Sequence, residues 1–250
     1  MSEHVTVADT GAIRTVRMNR PDKKNALTAA MYAAMAAALE SANGHPDIRC
    51  VVIAGAPGAF SAGNDLAEFS QAAASGEGLA LPVVRFLHAL ARSERPLVAA
   101  VQGLAVGVGT TMLLHCDHVV VGTDARFSTP FVNLGLVPEA ASSLLAPRLM
   151  GYRRAFELLV MGRPLDAAAA QACGLVNAVV PPGDVEPHAM KAAHDIAALP
   201  AEAVAASRRL MRGSPNETTA RIDEEVRLFK ERLQSAEAQA AFSAFLNRKR

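Results

Sequence analysis

Glu139 is the only acidic residue between Asp124 and Glu157, and its immediate neighbours are Val137, Pro138, Ala140 and Ala141. A carboxylate in such company has two uses. After Pro138 it suits the first turn of a helix, where its charge complements unpaired amides. Enclosed by apolar groups it becomes a stronger base once ionised. Two glycine-containing loops supply a second chemical element. They are "AGAPGAFSAGNDLAEF" (Ala54 to Phe69) and "VQGLAVGVGTTMLL" (Val101 to Leu114), each following an apolar run. Both read as strand-to-helix turns, with helix starts near Leu66 and Gly107. Asp65 is placed as an N-cap with Glu68 three residues on, the spacing of a capping box. Amides at a helix start are unpaired and electropositive, so two such turns facing one crevice would suit a developing oxyanion. Taken singly, each loop reads equally well as a tight turn that needs glycine at positive φ.

Other chemistries lack their signatures. Neither loop carries the GK[ST] of a Walker motif or a G-x-G-x-x-G between strand and helix, which disfavours nucleotide phosphates. "HCDH" (His115 to His118) lies where a helix gives way to a strand, without the paired histidines of a zinc helix, so no metal is expected. A G-x-S-x-G elbow is missing, and no cysteine has a base beside it in sequence.

The elements that must position these residues follow from pattern. "HVTVADTGAIRTVRMNR" predicts a hairpin around Asp9-Thr10-Gly11. "LTAAMYAAMAAALESANG" predicts a helix with Thr28 as N-cap and Gly44 beyond its end. "IRCVVIAG", "PLVAAVQG" and "HVVVGTDARFST" read as strands, and "ALPVVRFLHALAR" as a helix. Repeated strand–loop–helix passes imply an α/β chain with a largely parallel sheet covered on both faces. After "VVPPGD" (Val179 to Asp184) the pattern turns wholly helical, as in "ETTARIDEEVRLFKERLQSAEAQAAFSAFL". Such a tail serves as a lid or as an assembly surface. At 250 residues, 51% hydrophobic and 20% charged, the chain is long and apolar enough for one large core. A net charge of +1 argues against a nucleic-acid surface. Cys50, Cys116 and Cys173 read as reduced core cysteines, and neither a leader nor a membrane span is recognised, so a cytoplasmic protein is expected.

"NRPDKKNAL" (Asn19 to Leu27), "AFSAGNDL" (Ala59 to Leu66), "PLVAAVQGLAVGVGTTMLLHCD" (Pro96 to Asp117) and "FSTPFVNLGLVPEAASS" together resemble the crotonase superfamily, the enoyl-CoA hydratase/isomerase family. "LLVMGRPLDAAAAQACGLVNAVVP" extends the resemblance over nearly the whole chain. The resemblance implies a crotonase-like ββα spiral core over residues 1–185. A C-terminal helical region over 186–250 would then drive trimer or hexamer formation and close the site. It implies an acyl-CoA thioester as substrate and no cofactor beyond the coenzyme A that the substrate carries. The two oxyanion amides fall on Asn64 and Val108. Groove positions fall on Lys24, Ala26, Ser61, Ala62, Gly63, Asp65, Leu66, Val106, Gly107, Phe131 and Leu134. Phe245 and Lys249 would add to a neighbouring subunit's groove. The chain-length pocket would be walled by Ser70 to Phe86.

The departures point to a reaction. Hydratases of the family use two glutamates, at positions that here read Thr111 and Phe131. Glu139 stands instead where the Δ3,Δ2-enoyl-CoA isomerases of the peroxisomal type, which this stretch resembles, place their single catalytic glutamate. The expected reaction is proton transfer from C2 to C4 of a 3-enoyl-CoA by Glu139, through a thioester enolate held by two amides. The alternatives are a hydratase or other crotonase-type reaction, and a non-catalytic acyl-CoA-binding protein.

Overall fold

The computed structural model describes residues 2–65, 67–68 and 79–247, without the side chains of residues 242, 243 and 245–247. The chain opens with a hairpin of β1 (Val5–Thr10) and β2 (Ile13–Met18), turned at Gly11 with φ +57°. Helix α1 (Ala29–Asn43) begins where expected: Thr28 Oγ1 accepts from Met31 N at 3.3 Å, and Gly44 caps the other end.

From here the chain winds. Strand β3 (Cys50–Gly55) is followed at once by the short β4 (Ala59–Ser61). After helix α2 (Leu81–Ala91), β5 (Leu97–Val101) leads to β6 (Leu104–Val106) and the single turn α3 (Val108–Thr111). A third pass runs β7 (His118–Gly122) into β8 (Arg126–Ser128). The first strand of each pass joins a six-stranded sheet of order β1-β2-β3-β5-β7-β10, parallel from β2 onward, where β10 is Ala178–Val180. The second strand joins a four-stranded sheet, β4-β6-β8-β9, closed by the antiparallel β9 (Leu165–Asp166). This is the ββα spiral that the resemblance implies. Equivalent loops of successive turns therefore stack side by side, which is what brings the two glycine loops together.

The long strands alternate between two cores. Val51 and Ile53 of β3 face the large core with α1 and α2, while Cys50, Val52 and Ala54 face a second cluster. The cover for that second face is α7 (Val185–Ala197), through Val185, Ala189 and Ala193. Strands buried on both faces need apolar residues at every position, hence the unbroken runs in the sequence. Between β8 and α7 lie α4 (Ser142–Met150), α5 (Tyr152–Leu159) and α6 (Ala167–Ala172). Beyond α7 come α8 (Ala201–Arg212), α9 (Pro215–Leu233) and α10 (Ala236–Asn247).

"HCDH" is used structurally. His115 is fully buried, with Nε2 at 2.7 Å from the Ala140 carbonyl, and Asp117 holds Arg208 of α8 and the Leu97 amide. Among the described residues no group of three or more His, Cys, Asp or Glu is arranged to hold a metal ion, and no helix is long and apolar enough to cross a membrane.

Asn25 staples the loop after β2 to the second sheet. Its Nδ2 donates to the carbonyls of Ala59 (2.7 Å) and Ala56 (3.3 Å), and its Oδ1 accepts from Arg20 N at 2.8 Å. The residue is fully buried at φ +53°, a conformation that asparagine tolerates better than most residues. Asn25→Ala leaves buried carbonyls unpaired and keeps the strained backbone. It is expected to lower the unfolding free energy by about 2–4 kcal/mol, as read from urea denaturation; a change within about 0.5 kcal/mol would refute the staple.

Candidate active site

The two glycine loops touch backbone to backbone. A Cβ on Gly63 would lie 2.9 Å from the Val106 carbonyl oxygen, and one on Gly109 would lie 3.0 Å from the Ser61 carbonyl oxygen. Gly63 also sits at φ +86° and Gly107 at φ +56°. Glycine is needed here both for close approach and for backbone conformation, as the tight-turn reading requires, and the two loops lie side by side.

Ser61, expected on the groove wall, is instead fully buried behind it. Its hydroxyl donates to the Asn25 carbonyl at 2.9 Å and accepts from Gly63 N at 3.2 Å, propping the loop from within. Asp65 is likewise fastened, with Oδ1 accepting from the amides of Ala67 and Glu68 and Oδ2 holding Arg20 Nη1 at 2.7 Å. The N-cap is as expected. The reciprocal half of the box is not: the Glu68 carboxylate accepts from Ala29 N at 2.7 Å and so caps α1, whereas Asp65 N donates to the Leu27 carbonyl.

Leu27 pairs with Asn64 as a parallel bridge through Leu27 N to Gly63 O and Asp65 N to Leu27 O, both flanking Asn64. In that pattern the amide of Asn64 itself is directed away from Leu27. The Asn64 side chain is held by Tyr32, whose buried hydroxyl donates to Oδ1. Val108 is the first residue of α3, so its amide has no partner within the helix; its side chain is fully buried, while Gly107 beside it forms part of the wall.

These loops border a cleft of about 980 Å³. Lys24, Ala26, Ala62, Gly63, Asn64, Asp65, Val106, Gly107, Phe131, Leu134 and Glu139 line it, as do Arg20 and Lys23 near Lys24. Phe229 of α9 and Ala241 and Ala244 of α10 complete the wall, so the downstream helices of the same chain close this cleft. Leu66, residues 70–78 of the expected chain-length wall, Lys249 and the side chain of Phe245 lie outside the described residues.

Among the described residues three carboxylates line the cleft, and only one is buried. Asp22 is exposed and Asp65 is paired, whereas Glu139 is 1% exposed and neither of its carboxylate oxygens has a hydrogen-bond partner. Its pKa is pushed up to about 8, mainly by burial and further by the charge of Glu225. The helix-start reading of Glu139 is corrected by the structure. Helix α4 begins at Ser142, and Glu139 offers its carbonyl, not its carboxylate, to Ser142 N at 3.0 Å. The residues between, Ala140 and Ala141, both take positive φ, +61° and +53°. The carboxylate that caps α4 belongs to Glu225 of α9. Its Oε2 accepts from Ala141 N at 2.6 Å, and its Oε1 accepts from Ser143 N at 3.0 Å and Ser143 Oγ at 2.5 Å. Glu225 was not found by sequence reasoning. The available signal was its place in the stripe Thr219, Ile222, Glu225, Phe229, Leu233, a charge at helical spacing on the buried face of α9.

A family model described as enoyl-CoA hydratase/isomerase matches residues 9–250. Enoyl-CoA delta isomerase 2 of Rattus norvegicus is 35% identical over 253 residues, covering 99% of this chain, which spans 64% of that protein's length. A probable enoyl-CoA hydratase of Rhizobium meliloti (strain 1021) is 29% identical over 249 residues, covering 99% of this chain and 96% of the relative. The crystal structure of an enoyl-CoA hydratase/isomerase from Pseudoalteromonas atlantica T6c superposes with a TM-score of 0.93 at 40% identity, covering 98% of each chain.

The raised pKa of Glu139 couples stability to pH. Its folded value, about 8, lies above the ordinary 4.5. Stability is therefore fully present below about 4.5 and is lost as pH rises through about 8. Glu139→Gln is neutral throughout and removes that loss. Between those limits the parent should lose at most about 1.4 kcal/mol per pH unit relative to the variant, or about 2–4 °C in Tm per kcal/mol for a chain of this size. Parallel Tm–pH curves for the two proteins would rule out a buried, unpaired carboxylate.

Proposed function

This chain belongs to the enoyl-CoA hydratase/isomerase family, and we propose that within it the protein shifts the double bond of a 3-enoyl-CoA to the 2-trans position. One observation supports this reading above the others: among the described residues Glu139 is the sole buried, unpaired carboxylate on the cleft. In the proposed reaction its ionised oxygen removes a proton from C2, and the same carboxyl returns that proton at C4. The C2–H electron pair moves into the thioester, giving a dienolate whose charge rests largely on the carbonyl oxygen. The amides of Asn64 and Val108 hold that oxygen. Donors fixed in this way contribute about 10²–10³ in rate each, roughly 3–4 kcal/mol. A base that is poorly solvated and unpaired is stronger once ionised than an exposed carboxylate.

Asn64 is preset for this task, since Tyr32 anchors its side chain and the two flanking backbone bonds fix its peptide. The basic mouth formed by Arg20, Lys23 and Lys24 suits the phosphates of coenzyme A, with Arg20 already oriented by Asp65. No cofactor is invoked beyond the coenzyme A of the substrate.

A hydratase is the second reading, favoured by the name of the Rhizobium relative. Hydration requires one group to activate water and another to protonate the alkene. At the positions where the family's hydratases carry glutamates, this chain has Thr111, fully buried, and Phe131. Neither supplies a carboxylate. This favours the reaction that needs a single proton-transfer group.

The test pairs 3-enoyl-CoA with crotonyl-CoA as substrates for the parent and for Glu139→Gln. Turnover of the 3-enoyl thioester is expected, with kcat reduced about 10²–10⁴-fold in the variant. Sustained formation of 3-hydroxybutyryl-CoA from crotonyl-CoA would favour the hydratase instead, and background turnover of both substrates by both proteins would leave only acyl-CoA binding. The kcat/KM of the parent should climb with pH about tenfold per unit until it levels near pH 8, the pKa of the free base. A profile already flat from about pH 5 would show that another group does the work.

A further inference from the structure

A carboxylate placed just before a helix is ordinarily drawn to the helix-end amides, which lower its pKa and hold it in place. Glu139 stands three residues ahead of α4, yet it touches none of them. The reason lies in who already holds those amides. Ser142 N donates to the Glu139 main-chain carbonyl, while Ala141 N and Ser143 N donate to the two oxygens of Glu225. The three main-chain amides at the start of α4 are thus occupied, two of them by a carboxylate 84 and 82 residues away in sequence, while the buried Ser142 hydroxyl has no partner.

We propose that Glu225 is a positioning residue for Glu139: by occupying the amides of Ala141 and Ser143 it keeps the Glu139 carboxylate off the helix end and free for the cleft. This deepens the proposed reaction and rests on Glu139 being its base. The surroundings fit the assignment. Glu225 is 4% exposed, and its oxygens also take the Ser143 hydroxyl at 2.5 Å. Arg221, one turn earlier on α9, reaches the same hydroxyl at 3.3 Å and pairs with Glu224 at 3.1 Å. From the turn before β7, His115 meets the Ala140 carbonyl, and burial keeps it neutral by pushing its pKa down to about 4. From α1, Tyr32 presents a phenol that burial holds protonated. Glu225 therefore acts in two ways in the same direction. It withdraws the donors that would make Glu139 a weaker base, and above about pH 7, to which burial raises its own pKa, its negative charge further disfavours ionisation of Glu139.

The two effects separate by experiment. In Glu225→Gln the charge is gone and the shape is kept. A Gln side chain has one accepting oxygen and one NH₂ donor, so one of the two amides loses its acceptor. The full-length protein is labelled with 15N-alanine and 15N-serine and with 13C-carboxyl glutamate, and Glu139 is assigned by difference against Glu139→Gln. In Glu225→Gln the Glu139 titration midpoint is expected to fall by about one unit or more, and the amide shift of Ala141 or Ser143 should follow that same midpoint. A fall in midpoint with both amide shifts flat would overturn the proposal, leaving charge repulsion alone, and so would an unchanged midpoint. The kinetic counterpart is an acid limb moved to lower pH and a plateau kcat reduced about tenfold, with KM within about twofold. A purely structural role would lower Tm and leave the limb in place. Because the shifts are read without substrate, their outcome stands apart from the identity of the reaction. Failure of the isomerase reading would appear separately, as background turnover of 3-enoyl-CoA by the parent or as sustained hydration of crotonyl-CoA.

Discussion

The site depends on a contact between two backbones. Successive turns of the spiral run side by side, and where Gly63 meets the Val106 carbonyl and Gly109 meets that of Ser61 there is no room for a side chain. Any Cβ at these points would force the loops apart, and with them the peptides of Asn64 and Val108. The packing of the spiral and the spacing of its two candidate amide donors are thus one and the same constraint. The surrounding polar groups reinforce it from behind, Ser61 bracing Gly63 and Asn25 tying the neighbouring loop to β4.

Against that fixed frame the carboxylates divide the labour. Asp65 and Glu68 cap helix starts, Asp117 ties α8 to the sheet, and Glu225 caps α4 from a distance. Each has hydrogen-bond donors. Glu139 has none, and burying an ionisable group without partners is costly unless it stays neutral. Stability is surrendered at this position, a pattern that functional sites share. The fold tolerates it because the adjacent left-handed pair, Ala140 and Ala141, is held on both sides, by His115 on the first carbonyl and Glu225 on the second amide.

Much of this was legible in the sequence because it rests on local rules. The hairpin at Gly11, the Thr28 cap and the long strands β3, β5 and β7 are encoded in turn chemistry, capping residues and unbroken apolar runs. The glycine loops and the isolated Glu139 stood out because their residue types are unusual for their surroundings. What was missed is non-local or too short. Strands β4 and β6 have three residues each, below the length at which alternation can be read, and β8 was read as one with β7, so the repeating ββα plan left no visible repeat in sequence. The capping-box spacing of Asp65 and Glu68 was real, but tertiary folding handed the second carboxylate to α1. Ser61 matched a groove position by motif, yet it lies fully buried in a strand with no exposed residue. Glu225 sat in a strongly charged helix whose solvated face drew attention away from the buried one.

The clamp on α4 also orders events in time. Ala141 and Glu225 are 84 residues apart, so during translation the segment bearing Glu139 emerges well before its partner does. Only when α9 docks do the amides of Ala141 and Ser143 receive the carboxylate that holds them, so this helix start is completed by a late-made part of the chain.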